Sequence, residues 1–581
     1  MQRQVYIIRI ALLIAAFLAG FTALGVHFYH LQVSRHPELL QKAQAKYTAS
    51  RTQSGIRGEI YDVGGNLLAA NLAGYDILAE PRRFQDWRTE EVAALLASLL
   101  PVDEATLKRR FFTPGLVEVV VARNASLDQA RQVRSLNLPG IRLLPTTQRY
   151  YPKGHLFANI IGFVDFDGHG AEGVERVFDA ALRPGSESWR YERSRIGERL
   201  DSGEIAPPRG SDGARLHLTI HEPIQSIVEE ELMRMVEEHR PLAAYAIMAE
   251  PRTGAIMAMV QYPNFDPNDR SRATPEQWRN RIVGDGFEPG SIMKGVSIAG
   301  ALDYGLVGLH DRFDCERGLW FHRGRSLRDA GQRHGELPVW QIVQKSSNIG
   351  TAKIALEMGE PRMFQVLRRF GFGQTTGIEL PHEGNGIFRP LDKWDGLTLS
   401  RISIGHGIVA TPLQMVQAYC ALANDGAIPQ IHLVDRIEYP DGRQEVTEPR
   451  IRGRALRPGT ARRIAQALAT STGPEGTGRR AAVEGFQVAG KTGTAQKVVD
   501  GEYSSKHHIA SFIGFVPAEN PAFVLLVVAD EPSQGVYYGG TVAGPPFSRI
   551  AEKTLRHLQV APAAPRPPLE SAEALPTEEP L

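Results

Sequence analysis

From Ile10 to Tyr29 the chain reads IALLIAAFLAGFTALGVHFY, without a single Asp, Glu, Lys or Arg. A helix of about 20 apolar residues is as long as the hydrocarbon core of a bilayer is thick, and no other fold satisfies the backbone there within one segment. Arg3 and Arg9 precede the run, and His27, Phe28 and Tyr29 close it at interfacial depth. Basic residues before the span and aromatics at its end predict a cytoplasmic N-terminus and a body on the far side. A cleaved signal peptide is the competing reading. Against it, the run is longer than the usual hydrophobic core of such a peptide, and no clear small-x-small site follows. Instead HLQVSRHPELLQKAQ continues, which reads as the helix extending outward. No later stretch is long and apolar enough to span, so a single-pass anchor is expected.

The remaining chain is too long for one core. At 581 residues it allows two to four domains. Composition is that of an ordinary globular protein, and a net charge of +1 with interspersed signs offers no basic field for nucleic acid. Cys315 and Cys420 make neither a disulfide framework nor a metal-ligand spacing; they are either one pair or two buried thiols.

Residues 51–216 show short apolar runs broken by Gly and Pro. Arg57–Ala69 reads strand, Gly-Gly turn, strand, and Glu90–Leu100 has apolar residues at helical spacing. This is expected to be a mixed, elongated α+β module without a catalytic cluster. From Leu216 the pattern changes. A short strand at His217–Ile220, an amphipathic helix at Pro223–Glu238 and a hairpin of Ala243–Met248 with Ala255–Val260 are expected. A helix begins near Ser291, and others fit Val339–Met358, Arg362–Phe370 and Pro412–Asn424. Strands return at Gln487–Ala489, Ser511–Val516 and Phe523–Ala529. Chain-distant strands with helices between them make a layered α/β or α+β domain. The Pro-, Ala- and Glu-rich segment from 561 to 581 has little to bury and is expected to be disordered.

Three short motifs fall in order: Ser291-Ile-Met-Lys294 after Phe287-Glu-Pro-Gly290, then Ser346-Ser-Asn348, then Lys491-Thr-Gly-Thr494. Each alone is common in a chain this long, and separately each reads as a helix start, a solvated lysine or a strand with a turn. Together and in order they form the S-x-x-K, S-x-N and K-T-G set of acyl-serine enzymes. Positions i and i+3 share a helix face, so Ser291 and Lys294 can meet. Pro289-Gly290 suits a turn that opens a helix, which puts Ser291 among free backbone N–H groups. A serine hydroxyl needs a base, and a buried lysine near another cation can be one. Lys294 is therefore the candidate base, with Lys491 as the second positive charge that holds it neutral. Ser346 is a candidate proton relay, and Asn348 a candidate amide for the substrate backbone. Lys491-Thr-Gly-Thr494 is expected on a strand edge lining the pocket. Gly493 would admit the substrate backbone, and Thr492 and Thr494 with Lys491 would hold a terminal carboxylate. The backbone N–H groups of Ser291 and Thr494 form a candidate oxyanion hole.

At these residues the sequence resembles a class B penicillin-binding protein. The likeness extends to Arg57-Gly-Glu-Ile-Tyr-Asp, Gly170–Glu175, Pro251-Arg-Thr-Gly254, Tyr262–Asn268, Ser403-Ile-Gly-His-Gly407 with Thr411-Pro-Leu-Gln414, Ser511-Phe-Ile-Gly-Phe515 and Tyr538–Ala543, and so covers about residues 50–560. It implies an α+β multidomain chain: cytoplasmic tail 1–9, transmembrane anchor 10–29, periplasmic pedestal 30–215, transpeptidase domain 216–560 with a mixed sheet flanked by helices, and the tail. It also implies peptidoglycan D,D-transpeptidation through a Ser291 acyl-enzyme, with residual D,D-carboxypeptidase activity, on stem peptides, and inhibition by β-lactam antibiotics. No cofactor and no metal are implied, so His507 and His508 are expected in a loop beside the pocket rather than as ligands.

Length and anchor resemble the division-specific member, penicillin-binding protein 3. That type works at the septum of the inner membrane with a membrane-embedded glycan polymerase and other division proteins. The elongation-specific type is the close alternative. His221, where the family commonly has Asp, and Val63, where it often has Arg, depart from the pattern. A carboxypeptidase or β-lactamase on the same site, and a β-lactam sensor or inactive scaffold, are the remaining readings. The first lacks an assignable water-activating Glu, and the second would need a signalling module or would not keep three intact motifs.

Overall fold

A computed structural model describes residues 2–84, 89–192, 211–331 and 333–562. The expected disordered tail lies, from residue 563 on, outside the described residues. The chain divides into two compact units. One comprises residues 1–56 and 184–213. In it the apolar helix Gln2–Tyr29 runs into a π turn, His30–Ser34, and a second helix, His36–Tyr47. The stretch from Arg3 to Ser34 is long and apolar enough to cross a membrane and is unburied by protein. Helical structure thus continues past the apolar run. Beyond it Thr48–Ser54 pairs antiparallel with Ser186–Glu192.

The other unit comprises residues 57–183 and 214 onward. Its first strands are β1 (Ile60–Tyr61) and β2 (Leu67–Ala79), around the expected Gly-Gly turn. Helices α1 (Thr89–Leu99) and α2 (Glu104–Phe111) follow, then β3 (Val119–Ala125) and β4 (Ile141–Tyr150). After β5 (Arg215–Leu218) comes α3 (Glu222–His239), then β6 (Ala243–Ala249) and β7 (Ile256–Tyr262). The helical core follows as α4 (Lys294–Asp303), α5 (Val339–Lys345), α6 (Asn348–Met358) and α7 (Pro412–Ala423). Strands β8 (Val434–Glu438) and β9 (Gln444–Val446) precede α8 (Pro458–Thr470). The chain closes with β10 (Ala489–Val499), β11 (Glu502–Val516), β12 (Phe523–Asp530) and α9 (Gly544–His557).

A five-stranded sheet in the order β7-β6-β12-β11-β10 is antiparallel at every pairing. Strands β6, β7 and β12 are buried on both faces, which is why they read as continuous apolar runs rather than alternating ones. In β12, Val524, Leu526 and Val528 face the core that holds α4, α7 and α8. Phe523, Leu525 and Val527 face the core under α3 and α9, where Ile224, Val228 and Leu232 meet Phe547, Ile550 and Leu555. The result is a helix–sheet–helix sandwich.

A second, mixed sheet runs β9-β8-β5-β1-β2-β3, with β4 also on β2, and its β1–β5 pair is parallel. It draws strands from both sides of residue 215, so the segment 57–183 is built into the same unit as the C-terminal half. Two resemblance landmarks act here, one inside segment 57–183 and one between it and the C-terminal half. Glu175, fully buried, accepts from Arg57 Nη2 at 2.7 Å and Arg149 Nε at 2.6 Å, and Asp179 pairs with Arg57 Nη1 at 2.7 Å. Asn268 in turn brackets the Tyr151 backbone, accepting its N–H at 3.0 Å and donating to its carbonyl at 2.9 Å.

One expected helix is two. Val339–Met358 breaks at Ser346, whose φ of +61° ends α5, and Ser347 caps α6 by accepting the Gly350 N–H at 3.0 Å. Apolar periodicity continues through the break and so hides it. His507 and His508 also lie on β11, not in a loop, because the β10–β11 hairpin extends well past its buried half. His507 Nδ1 sits 2.8 Å from Glu531 Oε2, and His508 stacks on Tyr537 at 4.0 Å. Cys315 and Cys420 are free and buried.

Candidate active site

Ser291 sits in a single 3-10 turn, Gly290–Met293, that runs directly into α4. Three contacts fix the turn. The Gly290 N–H donates to Gly405 O at 3.1 Å. The Tyr419 hydroxyl, on α7, donates to Ile292 O at 2.8 Å. Strand β10 passes so close that a Cβ on Gly493 would lie 2.3 Å from Ser511 Oγ, 3.1 Å from Ile292 Cγ2 and 3.2 Å from Pro289 O. Gly493 thus meets a packing need between the strand and the Ser291 turn, beside the expected role of admitting the substrate backbone. Gly405, at φ +81°, is pressed equally tightly, since a Cβ there would meet Gly290 O at 2.2 Å.

Lys294 is fully buried one turn after Ser291. Its Nζ donates to Ser346 O at 2.6 Å, Ser346 Oγ at 3.1 Å and Asn348 Oδ1 at 2.7 Å. The helix break is what makes this possible: the left-handed turn at Ser346 aims both its carbonyl and its hydroxyl at the lysine. Burial lowers the Lys294 ammonium to a pKa of about 7, against an upward pull from Asp329. The expected cause, the charge of Lys491, is corrected: desolvation leads. Lys491 is itself fully buried and held well below its ordinary value, by burial first and by Lys294 second.

Asp329 is the residue that sequence reasoning missed. Its carboxylate accepts from Ser347 Oγ at 2.8 Å, Asn348 N at 2.6 Å and Ile349 N at 3.0 Å. It thereby closes the N-terminus of α6 and holds the Ser346–Asn348 segment in place. Asn348 Nδ2 donates to Arg328 O at 2.7 Å, which orients the side chain with its oxygen toward Lys294. Asp329 belongs to no short motif and meets the site only through tertiary folding.

Lys491, Thr492, Gly493 and Thr494 lie on β10, the edge strand of the five-stranded sheet, as expected. Lys491 Nζ lies 3.3 Å from both Thr492 O and Thr492 Oγ1. Thr492 Oγ1 is 3.0 Å from Thr477 Oγ1, and Thr494 Oγ1 accepts the Gly539 N–H at 3.0 Å. A hydroxyl that accepts from a backbone N–H keeps its own proton to donate, so Thr494 stays available to an anionic ligand. The three motifs are thus brought together: Lys294, near neutrality, meets Ser346 and Asn348 one turn from Ser291, and the β10 edge passes against the Ser291 turn. That arrangement suits acyl transfer through a serine ester.

Comparison with known proteins gives the same picture. Residues 244–552 match the penicillin binding protein transpeptidase domain, and residues 52–218 match the penicillin-binding protein dimerisation domain. The chain is 33% identical to the probable peptidoglycan D,D-transpeptidase PenA of Neisseria meningitidis, over 95% of this chain and 92% of that one. It is 31% identical to the peptidoglycan D,D-transpeptidase FtsI of Escherichia coli, over 96% and 93%. Among solved structures it is similar to penicillin-binding protein 3 of Mycobacterium tuberculosis in complex with aztreonam, with a TM-score of 0.69, 27% identity and coverage of 89% and 99%.

Proposed function

The chain belongs to the class B penicillin-binding proteins, serine-type peptidoglycan D,D-transpeptidases, and from that premise we propose how its own residues run the reaction. Neutral Lys294 takes the proton of the Ser291 hydroxyl as Oγ attacks the penultimate D-Ala carbonyl of a stem peptide. The oxyanion is held by the backbone N–H groups of Ser291 and Thr494. Ser346 carries the proton on to the departing amine, and terminal D-Ala leaves. An amine from a neighbouring stem then attacks the ester, forms the cross-link and returns a proton to Ser291. Asn348 aligns the donor backbone, and Lys491, Thr492 and Thr494 receive the terminal carboxylate, with Gly493 keeping their strand against the nucleophile turn. β-Lactams enter as mimics of the D-Ala-D-Ala end.

The observation that carries this reading is Lys294: fully buried, near neutrality, and bonded to Ser346 and Asn348 one turn from Ser291. The test is incubation of the full chain with a penicillin, followed by mapping of the adduct. A persistent adduct on the peptide containing Ser291 is expected. Rapid turnover of the drug points to a β-lactamase, and an adduct elsewhere reassigns the nucleophile.

We read the chain as anchor 10–29, pedestal 30–215 and transpeptidase domain 216–560. We place it in the inner membrane with a cytoplasmic N-terminus, at the division septum, alongside a membrane-embedded glycan polymerase. The apolar N-terminal helix and the overall similarity to the relative called FtsI support this reading. Depletion is expected to give filaments; round cells would assign the chain to elongation.

A further inference from the structure

Beside the second motif stands a hairpin whose charge the reaction as described leaves unused. Leu319–His322 pairs antiparallel with Arg325–Arg328, placing Leu319 opposite Arg328 and Trp320 opposite Leu327. From Arg317 to Arg328 the chain carries four arginines and no Asp or Glu, in a protein whose net charge is only +1. Arg317, Arg323, Arg325 and Arg328 are all exposed, and none of their guanidinium groups has a hydrogen-bond or ion-pair partner among the described residues. The carboxylates that flank the hairpin in the chain are engaged elsewhere, Glu316 by Lys353 at 2.7 Å and Asp329 by its three donors. Like charges gathered in this way repel one another and together attract anions.

The hairpin is fixed at the site. One face rests on a small core, where Trp320 and Leu327 pack with Ile349, Ala352 and Ile404. Ile349 follows Asn348, and Ile404 precedes Gly405, whose carbonyl holds the Ser291 turn. The Arg328 carbonyl accepts Asn348 Nδ2 at 2.7 Å, and Arg401 Nη2 ties the hairpin down by donating to Ser326 O at 3.0 Å. Strand alternation puts Leu319, Phe321 and Arg328 on the opposite face. There Leu319 is 40% and Phe321 70% exposed. A peptide aligned on Asn348 thus runs past the residue whose carbonyl holds that amide, an unpaired arginine with two exposed apolar neighbours.

We propose that this hairpin is a subsite for a carboxylate carried by the donor stem upstream of its D-Ala-D-Ala end. Arg328 pairs with that carboxylate, Arg317, Arg323 and Arg325 supply the field that draws it in, and Leu319 and Phe321 cover the aliphatic part of the stem. The inference rests on the transpeptidase reading of Ser291 and deepens it by naming a charge that the donor must bear. Charge complementarity selects the occupant: a planar guanidinium matches a carboxylate with two parallel hydrogen bonds, and four unpaired cations suit a ligand with more than one anionic group. An acidic protein docked on the same face is the competing occupant.

The test uses the full chain in detergent and two N-acyl-D-alanyl thioesters, identical except that the N-acyl group carries free carboxylates in one and primary amides in the other. The readout is the ratio of their kcat/KM values, followed by thiol release, in which any change common to both donors cancels. The unsubstituted chain is expected to prefer the carboxylate donor about tenfold at low ionic strength, and to lose most of that preference at about 0.5 M salt, where screening is short-ranged. Arg328→Gln should cut the preference about fivefold, the scale of one exposed ion pair. Arg328→Glu should turn it toward the amide donor. Penicillin labelling of each variant confirms that it is folded. Equal kcat/KM for the two donors in the unsubstituted chain overturns the proposal. A preference that survives both substitutions also overturns it, and leaves the hairpin to an acidic protein. Absence of both thiol release and penicillin labelling in the unsubstituted chain instead overturns the Ser291 reading itself.

Discussion

Lys294 Nζ lies 2.7 Å from Asn348 Oδ1, across a gap of 54 residues in the chain. The contact joins the first two motifs into one hydrogen-bonded group, with Ser346 supplying two more acceptors. Asp329 and Cys315 pull the lysine upward, and burial outweighs both. The expected consequences can be measured.

Ser291→Ala is expected to abolish labelling by a fluorescent penicillin while leaving the thermal unfolding profile within about 1 kcal/mol of the parent, as for a half-buried hydroxyl with no structural duty. Labelling that survives would show that another group is the nucleophile.

The pH dependence of acylation follows from the sign of the Lys294 shift. With the neutral amine as the proposed base, the acylation rate should rise as pH increases through about 7 and then level off. Stopped-flow measurement with a chromogenic cephalosporin reads the midpoint. Lys294→Ala should lower the plateau by roughly 100- to 10,000-fold, the range for removing a general base.

Asp329→Asn separates two effects. The carboxylate pulls Lys294 upward, so its loss should move the acylation midpoint below about 7. It also closes the α6 N-terminus, and the weakened cap should cost about 0.5–2 kcal/mol in thermal or denaturant unfolding. A midpoint that stays in place would mean that Asp329 is only a cap.

Gly493→Ala removes no functional group. The added Cβ would lie 2.3 Å from Ser511 Oγ and 3.1 Å from Ile292 Cγ2, so either the strand or the nucleophile turn must move. Overpacking of this kind costs about 1–3 kcal/mol. A fall in acylation of tenfold or more is expected alongside a lower Tm, with Ser291 still present.

Glu175→Ala should be the most damaging change distant from the site. It leaves Arg149, 3% exposed, without its carboxylate, and Arg57, 7% exposed, with Asp179 alone. Breaking one partner of a buried pair costs about 3–5 kcal/mol. Differential scanning calorimetry on the full chain should show the drop.

Much of this was legible in the residues. The apolar N-terminal helix follows from a charge-free run of bilayer length. The strands β6 and β12 follow from apolar runs, and α3 from its periodicity. The membership of the site, from Ser291 to Thr494, follows from three motifs in order. These features are local: each depends on a few neighbouring side chains and on the 3.6- or 2-residue period that their environment selects.

Other features depend on chain-distant contacts. The break at Ser346 is invisible to periodicity, because apolar residues continue on both sides and the left-handed turn is held by Asp329, 17 positions earlier. The need for Gly493 lies in how closely β10 passes Ile292 and Ser511. The near-neutral Lys294 comes from its full burial, and the 3.2 Å contact of the Tyr503 hydroxyl with Glu288 from the reach of a hairpin. Sequence alone determined which groups are candidates for the chemistry; the tertiary structure decided their protonation, their spacing and what holds them there, because electrostatic shifts and close packing are set by the surroundings that folding assembles.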